Sequence, residues 1–211
     1  MAKERLKSPR ARLFTALDLP DAIRDGIAAW QARECADPAL RAVPPEALHV
    51  TLCFLGYQPE RGIEEIAGVV EGVEPRPVEM RLEAEPRGLK GGRPSLFAIS
   101  APSEAAEAVQ GELSDKLAAA RFYEPEKRPF WPHVTVARVR SEPRPGGSGG
   151  RRRRGRPSIV ENRPRALPEG LLGPFGAVRV ALYRSHLQPS GARYERLAAL
   201  QLPPATSGRE R

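Results

Sequence analysis

The sequence predicts a fold of mixed helices and strands in which one strand–helix–strand unit occurs twice. In both halves a strand pattern, a helix pattern, a break at prolines and a strand starting His-Val-Thr follow in the same order. The offset between the copies is nearly constant, because Phe14 and Phe97 are 83 positions apart and His49 and His133 are 84 apart. A chain of 211 residues can form one domain or one split into two lobes.

The first unit is bounded by residues that favour turns. A β-type run at 12–19 ends at Pro20, and apolar residues at helical spacing predict an amphipathic helix at 21–34. After two prolines, an apolar run at 48–55 predicts a strand that ends at Gly56. A helix at about 60–71 and a strand at about 77–84 complete this half.

The second unit repeats this order after a turn at 91–94. A strand is predicted at 95–99, followed by a helix at 103–121 with Ser103 as its N-cap, and then by a strand at 133–137. Two further strands are predicted at 178–182 and 194–202.

Charge and composition predict the flexible segments. The net charge is +8, and most of it lies in residues 1–12 and in the Arg-, Gly- and Pro-rich segment 141–170, which has almost no apolar periodicity. We therefore expect a flexible N-terminus at 1–11, a single domain at 12–202 interrupted by a disordered loop at 141–170, and a flexible tail at 203–211. The Arg-rich loop either captures a polyanion or is an expansion without function.

Cysteine usage and hydropathy indicate a cytoplasmic protein. The two cysteines, Cys35 and Cys53, offer neither a disulfide framework nor a Cys-x-x-Cys metal motif. No apolar run approaches the length of a membrane span, and no apolar segment of a signal peptide follows the basic start. We expect a monomer without a membrane partner.

The two His-x-Thr strands carry the predicted chemistry. Alternate residues on a strand face the same side, so His49 projects with Thr51 and His133 with Thr135. If the two units pack about a pseudo-two-fold axis, both pairs meet in one cleft. By the same alternation Cys53 would line that cleft, although no low-pKa environment marks it as a nucleophile.

Two histidines flanking a phosphate form a general acid–base pair. With an ordinary pKa near 6.5, one imidazole can be neutral and activate water while the other is protonated and protonates the leaving oxygen. The threonine hydroxyls can bind the non-bridging oxygens, which suits opening of a strained cyclic phosphodiester. The rival interpretation is a metal site, but no third ligand stands at a recognisable spacing, so we expect no metal and no cofactor.

The motifs resemble those of a known family. Leu48-His-Val-Thr-Leu-Cys-Phe-Leu-Gly56 and Pro132-His-Val-Thr-Val-Ala-Arg138 are similar to the paired HxTx motifs of the two-histidine (2H) phosphoesterase superfamily. Within it, the chain most resembles the bacterial RNA 2',3'-cyclic phosphodiesterase group, also called LigT-like or 2'-5' RNA ligase proteins. The likeness covers about 12–140 and 171–202.

The resemblance implies a bilobal α+β fold with two antiparallel sheets lining a central cleft, helices outside and a pseudo-two-fold internal duplication. It implies metal-independent hydrolysis of RNA 2',3'-cyclic phosphate ends to 2'-phosphate ends. In that interpretation His49 is the proton donor to the leaving 3'-oxygen and His133 the proton acceptor that activates water, while Thr51 and Thr135 bind the phosphate.

Two further residues are assigned to the substrate by resemblance. Arg138, five residues after His133, matches an arginine of the family and would add positive charge near the phosphate. Phe14 stands where the family has an aromatic residue near the base, so it would stack or simply belong to the core. His186 has no partner at a motif spacing and is expected at the surface or behind the site.

Alternatives remain open at this point. Ligation of RNA in the reverse direction and hydrolysis of a small cyclic nucleotide would use the same site. An idle RNA-binding module using the basic loops is an alternative of another class, against which the intact His and Thr residues argue.

Overall fold

The computed structural model describes residues 9–89, 93–142, 155–188 and 191–205. These residues contain three α-helices: α1 (Asp21–Glu34), α2 (Ile63–Glu71) and α3 (Glu104–Ala119). The strands are β1 (Arg10–Asp18), β2 (Leu40–Ala42), β3 (His49–Pro59), β4 (Glu79–Met80), β5 (Arg87–Leu89), β6 (Leu96–Ser100), β7 (His133–Val139), β8 (Ser141–Glu142), β9 (Arg156–Pro157), β10 (Phe175–Gly176), β11 (Arg179–Gln188) and β12 (Gly191–Gln201). Short 3-10 turns lie at Pro45–Ala47, Glu60–Gly62 and Glu169–Leu171.

An antiparallel sheet organises the molecule. Its strand order is β12-β11-β1-β3-β7-β6-β5, and β2 also pairs with β7. Within this sheet β3 and β7 are joined through the pair Val50 and Val134 alone. The predicted bilobal α+β fold is thus confirmed, and its two expected sheets are two halves connected at this narrow junction.

The junction lies where the internal duplication places its axis. Val50 and Val134 are equivalent residues of the two units, 84 positions apart, and they are each other's partners in the ladder. Both side chains are fully buried, so the preceding His49 and His133 start their strands on the opposite, cleft-facing side. The duplication inferred from the sequence is therefore also a two-fold relation in space.

The helices cross between the halves. α1, from the first unit, packs against β7 of the second, and α3, from the second unit, packs against β3 of the first. The apolar face of α1 buries Ile27 and Trp30, and the buried Ile99, Val109 and Leu113 continue the core on the other side. No described segment forms a helix long and apolar enough to cross a membrane.

The helix limits follow the sequence closely. α1 has the predicted bounds, and Ser103 caps α3 as predicted, since its hydroxyl accepts a hydrogen bond from the backbone N–H of Ala106 at 3.1 Å. The strand predicted at 77–84 shrinks to β4, which pairs only with β10. Val78, Met80 and Leu82 are nevertheless buried, because alternation of apolar residues reports burial rather than ladder pairing.

The structure differs from the expected disorder in residues 155–170. The Asp37 carboxylate accepts hydrogen bonds from the backbone N–H groups of Glu161 and Asn162 at 3.0 and 2.8 Å, and the indole N–H of Trp30 donates to the carbonyl of Ala166. Leu167 is buried. The C-terminal part of the predicted loop is therefore fastened to α1 and the turn after it, by partners that composition does not reveal.

The ends of the domain also shift slightly from the expected bounds. β1 begins at Arg10 rather than at 12, and Ala11 is buried, so part of the expected flexible N-terminus belongs to the sheet. Residues 1–8, 143–154 and 206–211 lie outside the described residues, and so do the predictions that fall on them.

Candidate active site

Matching backbone contacts hold the two predicted histidines. The Nδ1 of His49 lies 2.8 Å from the carbonyl oxygen of Ala47, and the Nδ1 of His133 lies 2.7 Å from that of Trp131. A carbonyl can only accept, so each Nδ1 carries a proton and donates it. Each imidazole therefore has its Nε2 left for chemistry, as an acceptor when neutral and as a donor when protonated.

A small pocket brings most of the predicted residues together. It has a volume of about 90 Å³, and its lining includes His49, Thr51, Thr135, Arg138 and Phe14. The Thr51 hydroxyl lies 3.1 Å from the His49 Nε2 and can donate to it. By the same measure of volume, a cavity of roughly 10–15 Å³ holds one water, so this pocket has room for a small group such as a phosphate. We call it the phosphate pocket.

His133 faces the adjoining space. It lines a groove of about 380 Å³ that shares Thr51 and Phe54 with the phosphate pocket. Aromatic side chains dominate one wall of this groove, so we call it the aromatic groove: Tyr123, Phe130 and Trp131. The two histidines thus approach the threonines from neighbouring compartments.

Matched β-bulges determine which side chains follow the threonines. On β3 the pairing with β1 passes from Thr51 to Cys53, and on β7 the pairing with β6 passes from Thr135 to Ala137, so Leu52 and Val136 are skipped. A bulge shifts the alternation by one residue. The side chains that continue the cleft face are therefore Phe54 and Arg138, each five residues after its histidine.

The bulge overturns the expectation for Cys53. This residue was expected to line the cleft, but its side chain is fully buried, and its backbone N–H donates to the Thr15 hydroxyl at 3.1 Å. Burial raises the pKa of the Cys53 thiol to about 11, so it has no thiolate character near neutral pH. It packs in the core.

Phe14 supports the imidazole of His49. Its ring stacks on the His49 imidazole at a centroid distance of 5.0 Å and is only 3% exposed. Tyr194 meets the same imidazole edge-on at 5.3 Å. With so little exposed surface, Phe14 orients His49, and a stacking role toward a nucleobase stays a prediction.

These surroundings lower the pKa of His49 to about 4. The main cause is burial of the imidazole, which disfavours its charged form. The nearby positive charges of Arg138 and His133 act in the same direction, and the carbonyl of Ala47 opposes them. In the free enzyme His49 is therefore neutral near pH 7.

Several residues of the site were missed by the sequence reasoning. Trp131 stacks on His133 with ring centroids 4.3 Å apart, and its indole N–H donates to the Ser100 hydroxyl at 3.1 Å. The Arg12 guanidinium lies 4.6 Å above the Phe54 ring. A signal was present for Arg12, which is two residues before Phe14 on β1, the spacing of side chains on one face of a strand. Strand alternation gives none for Trp131, which precedes β7.

His186 lies apart from the site. It is on β11, exposed, with its Nε2 2.8 Å from a carboxylate oxygen of Glu195 on β12. This agrees with the expectation of a surface residue. Within the described ranges no three His, Cys, Asp or Glu side chains are grouped so that they could hold a metal ion.

Comparison with known proteins places this geometry in a family. The sequence profile of the 2'-5' RNA ligase superfamily matches residues 19–145. Proteins named RNA 2',3'-cyclic phosphodiesterase are similar to this chain in Methanocaldococcus jannaschii (26% identity, 87% of this chain and 96% of the relative) and in Thermus thermophilus (29% identity, 90% of each). A third, from Escherichia coli, is 31% identical over 62% of this chain and 73% of its own length.

Solved structures share the fold. The crystal structure of TT0787 from Thermus thermophilus superimposes with a TM-score of 0.69 at 24% identity, covering 90% of this chain and 97% of that one. Escherichia coli LigT complexed with NADP+ gives a TM-score of 0.68 at 22% identity, covering 93% and 99%. The profile match over more than half of the chain, on the residues that carry both histidine strands, shows that this protein belongs to the 2'-5' RNA ligase superfamily.

Proposed function

We propose that the protein hydrolyses RNA 2',3'-cyclic phosphate ends to 2'-phosphate ends without a metal. The observation that carries this proposal is the matched pair of histidines, each fixed through Nδ1 with its Nε2 available. His49 lines the phosphate pocket, and His133 lines the adjoining aromatic groove, which shares Thr51 with that pocket. Two imidazoles can supply the proton transfers for which other hydrolases use a metal-bound water. The relatives' names supply the RNA cyclic phosphate as the substrate class.

The reaction divides between the two histidines. His133 takes a proton from water as the oxygen attacks phosphorus, and His49 gives a proton to the 3'-oxygen as the P–O3' bond breaks. The product keeps the phosphate on the 2'-oxygen and has a free 3'-hydroxyl. This allocation of roles follows the family resemblance, because the two-fold relation alone makes the histidines equivalent.

The remaining side chains act on the phosphate oxygens. Thr51 and Thr135 can each donate a hydroxyl hydrogen bond to a non-bridging oxygen, and the Arg138 guanidinium supplies positive charge at the edge of the pocket. As acid, His49 must be protonated in the complex. The anionic phosphate favours the imidazolium and so raises the pKa that burial and Arg138 lower in the free enzyme.

Removal of either histidine should slow turnover strongly. With an RNA oligonucleotide ending in a 2',3'-cyclic phosphate and EDTA present, we expect a 2'-phosphate product, and in His49→Ala and His133→Ala a loss of about 10²–10⁴-fold in kcat each. His186→Ala is the matched control, because the third histidine lies outside the site. Three results would reject the proposal: a need for added metal, a 3'-phosphate product, or activity in the variant that carries both His49→Ala and His133→Ala.

The same variants can separate acid from base. A phosphodiester with a p-nitrophenolate leaving group needs no proton on the departing oxygen, so the general acid becomes dispensable. We expect His49→Ala to recover much of its activity on this substrate and His133→Ala to remain inactive. Recovery by His133→Ala instead would exchange the two roles.

A second reaction is favoured by the aromatic groove. The groove adjoins His133, on the side from which the nucleophile comes, and its 380 Å³ exceeds what one water needs. A 5'-hydroxyl RNA end seated there would attack in place of water and yield a 2'-5' linkage. Incubation of both RNA ends, followed by product analysis on a gel, distinguishes ligation from hydrolysis, and an RNA-binding protein without catalysis would give neither product. Small cyclic nucleotides would fit the same site chemistry.

The cellular setting is part of the proposal. We propose a monomer, because the two lobes of one chain already supply both histidines and both threonines. We propose a cytoplasmic location, because Cys35 and Cys53 are free thiols. Light scattering of the purified protein should give the mass of a single chain, 23.1 kDa.

A further inference from the structure

A third space opens from the phosphate pocket on the His49 side. This groove has a volume of about 530 Å³ and shares Val43, Ala47, Arg138 and Tyr194 with the phosphate pocket. Three of its lining residues are arginines, so we call it the arginine groove: Arg41, Arg138 and Arg193. Glu46 is the single carboxylate in its described lining, which leaves an excess of positive charge.

The pairing of the strands sets two of these arginines directly opposite each other. Arg41 on β2 is the register partner of Arg138 on β7. Like charges at directly opposed positions of an antiparallel pair destabilise it. Among the described residues neither guanidinium has a carboxylate oxygen within 4.0 Å, although Arg179 and Arg184 on nearby β11 both have one. The arrangement suits an anion that arrives from outside.

The third arginine faces the same space from the other wall. Arg193 lies on β12, is exposed, and has no carboxylate partner in the part of the chain that the structure describes. The Arg41 guanidinium reaches toward this hairpin, since a Cβ added to Gly191 would lie 3.8 Å from its Cζ. Tyr194, whose ring meets the His49 imidazole edge-on, lines the same groove.

The direction of the groove matches the direction of the RNA chain. In the proposed reaction the 3'-oxygen leaves toward His49, so the ribose that carries it lies on the His49 side of the phosphate. The upstream nucleotides are attached to that same ribose through its 5'-carbon. They must therefore leave the phosphate pocket on the side where the arginine groove begins, and away from the aromatic groove beside His133.

We propose that Arg41 and Arg193 bind the phosphodiester immediately upstream of the cyclic end, so that the enzyme selects RNA ends over mononucleotides. This rests on the proposed hydrolase function and adds the length of the substrate to it. The groove volume lies in the range of sites that hold small organic ligands, which gives room for part of one further nucleotide. Recognition would be of charge, without preference for a base.

The test compares a trinucleotide ending in a 2',3'-cyclic phosphate with a nucleoside 2',3'-cyclic phosphate, which has no upstream phosphate. For Arg41→Gln and Arg193→Gln we expect the ratio of kcat/KM for the trinucleotide to that for the mononucleotide to fall roughly three- to tenfold. The dependence of log kcat/KM on log salt should flatten by about 0.7 per phosphate contact removed. Arg61→Gln is the matched control, an exposed arginine outside all of these grooves.

Stability separates this effect from damage to the fold. Because Arg41→Gln removes a like-charge pair, its Tm should equal or exceed that of the wild type. A ratio unchanged from wild type in both variants, or a wild type that does not prefer the trinucleotide, would overturn the inference while hydrolysis itself stood. Arg128 lines the aromatic groove. If the ratio of kcat/KM fell only in Arg128→Gln, the upstream RNA would lie in the aromatic groove, and this result would also overturn the inference.

A binding measurement tests the role of the arginine groove even if the protein has no turnover. If the wild type hydrolyses neither substrate, the proposed function fails. Fluorescence anisotropy with a labelled trinucleotide ending in a 2'-phosphate then decides about the groove. Weaker and less salt-dependent binding in Arg41→Gln and Arg193→Gln supports it, and binding equal to that of Arg61→Gln overturns it.

Discussion

At the scale of single residues, the two histidines share a backbone setting but differ in what surrounds the ring. Both donate Nδ1–H to the carbonyl two positions before them. His49 is enclosed by Phe14 and Tyr194, whereas His133 stacks on Trp131 alone among described aromatic rings. Burial of the His49 imidazole lowers its pKa. The different neighbours of the two rings break the equivalence that the duplication would impose.

The pKa of His49 can be measured directly. In an NMR titration of the free protein we expect the His49 ring protons to report a pKa of about 4, because burial and the charges of Arg138 and His133 disfavour the imidazolium. Inorganic phosphate in the pocket should raise this pKa. A value near the ordinary 6.5 that phosphate does not change would contradict the described surroundings.

The same shift has a consequence for stability. With its folded pKa below its unfolded value near 6.5, His49 binds fewer protons in the native state between pH 4 and 6.5. Its contribution to the free energy of unfolding is therefore complete above about pH 6.5 and declines as the pH falls toward 4. His49→Gln should lessen the decline of Tm over this interval, and an identical decline in both proteins would exclude the linkage.

At the scale of elements, the sequence predicts which side chains face the cleft up to the bulges in β3 and β7, but not beyond them. Alternation alone placed His49 with Thr51 and His133 with Thr135, and the structure has both pairs facing the cleft. It failed at Cys53, because a bulge exists only in relation to the neighbouring strand and leaves no mark in a single strand's pattern. Phe54 was missed for that reason, while Arg138, at the same offset, was reached only through the family resemblance.

Buried Gln31 on α1 stabilises the bulge in β7. Its side-chain amide donates to the carbonyls of Val136, the bulged residue, and Val43, at 2.6 and 2.9 Å. Gln31→Leu removes both bonds, so we expect a loss of about 1–3 kcal/mol in the free energy of unfolding. Because Arg138 follows two residues later, kcat/KM on the cyclic RNA end should fall as well.

Urea denaturation measures the first effect and steady-state kinetics the second. Gln201→Leu, an exposed glutamine on β12, is the control for the change of side-chain type. If Gln31→Leu is as stable and as active as this control, the glutamine does not hold the bulge.

At the scale of the whole molecule, part of the Arg-rich segment that composition predicts to be disordered is fixed to the domain. Residues 143–154 lie outside the described residues, whereas 155–170 are bound to α1 and the turn after it through Glu34, Asp37 and Trp30. The sequence predicted one disordered loop because both parts lack apolar periodicity. The hydrogen bonds that backbone N–H groups donate to a buried carboxylate such as Asp37 leave no signature in the composition. Composition alone therefore does not predict that residues 155–170 are bound.

Two deletions should therefore differ in stability. β8 and β9 pair with Glu142 opposite Arg156, so Asn-Gly can replace 143–155 as a two-residue hairpin turn. We expect this variant to unfold at nearly the wild-type temperature, while loss of 143–166 also removes the contacts to Asp37 and Trp30 and lowers Tm. Equal Tm values would show that these contacts contribute nothing.

The shorter deletion also decides what the Arg-rich segment does. If it captures RNA through its charge, the deletion raises KM for the RNA substrate and weakens its salt dependence. Unchanged KM and salt dependence would leave the segment as an expansion without a part in catalysis.

The pairing of Val50 with Val134 has a further consequence, which concerns symmetry. In a dimer of identical chains, a residue on the two-fold axis meets its own copy, and every substitution appears on both sides at once. Here the same contact lies inside one chain, so each half can change alone. Phe54 faces the cleft at the position where the other half has Arg138, and Ala47 holds one histidine where Trp131 holds the other. A symmetric dimer could not give its two imidazoles different surroundings in the free state, whereas a single chain with two related halves can.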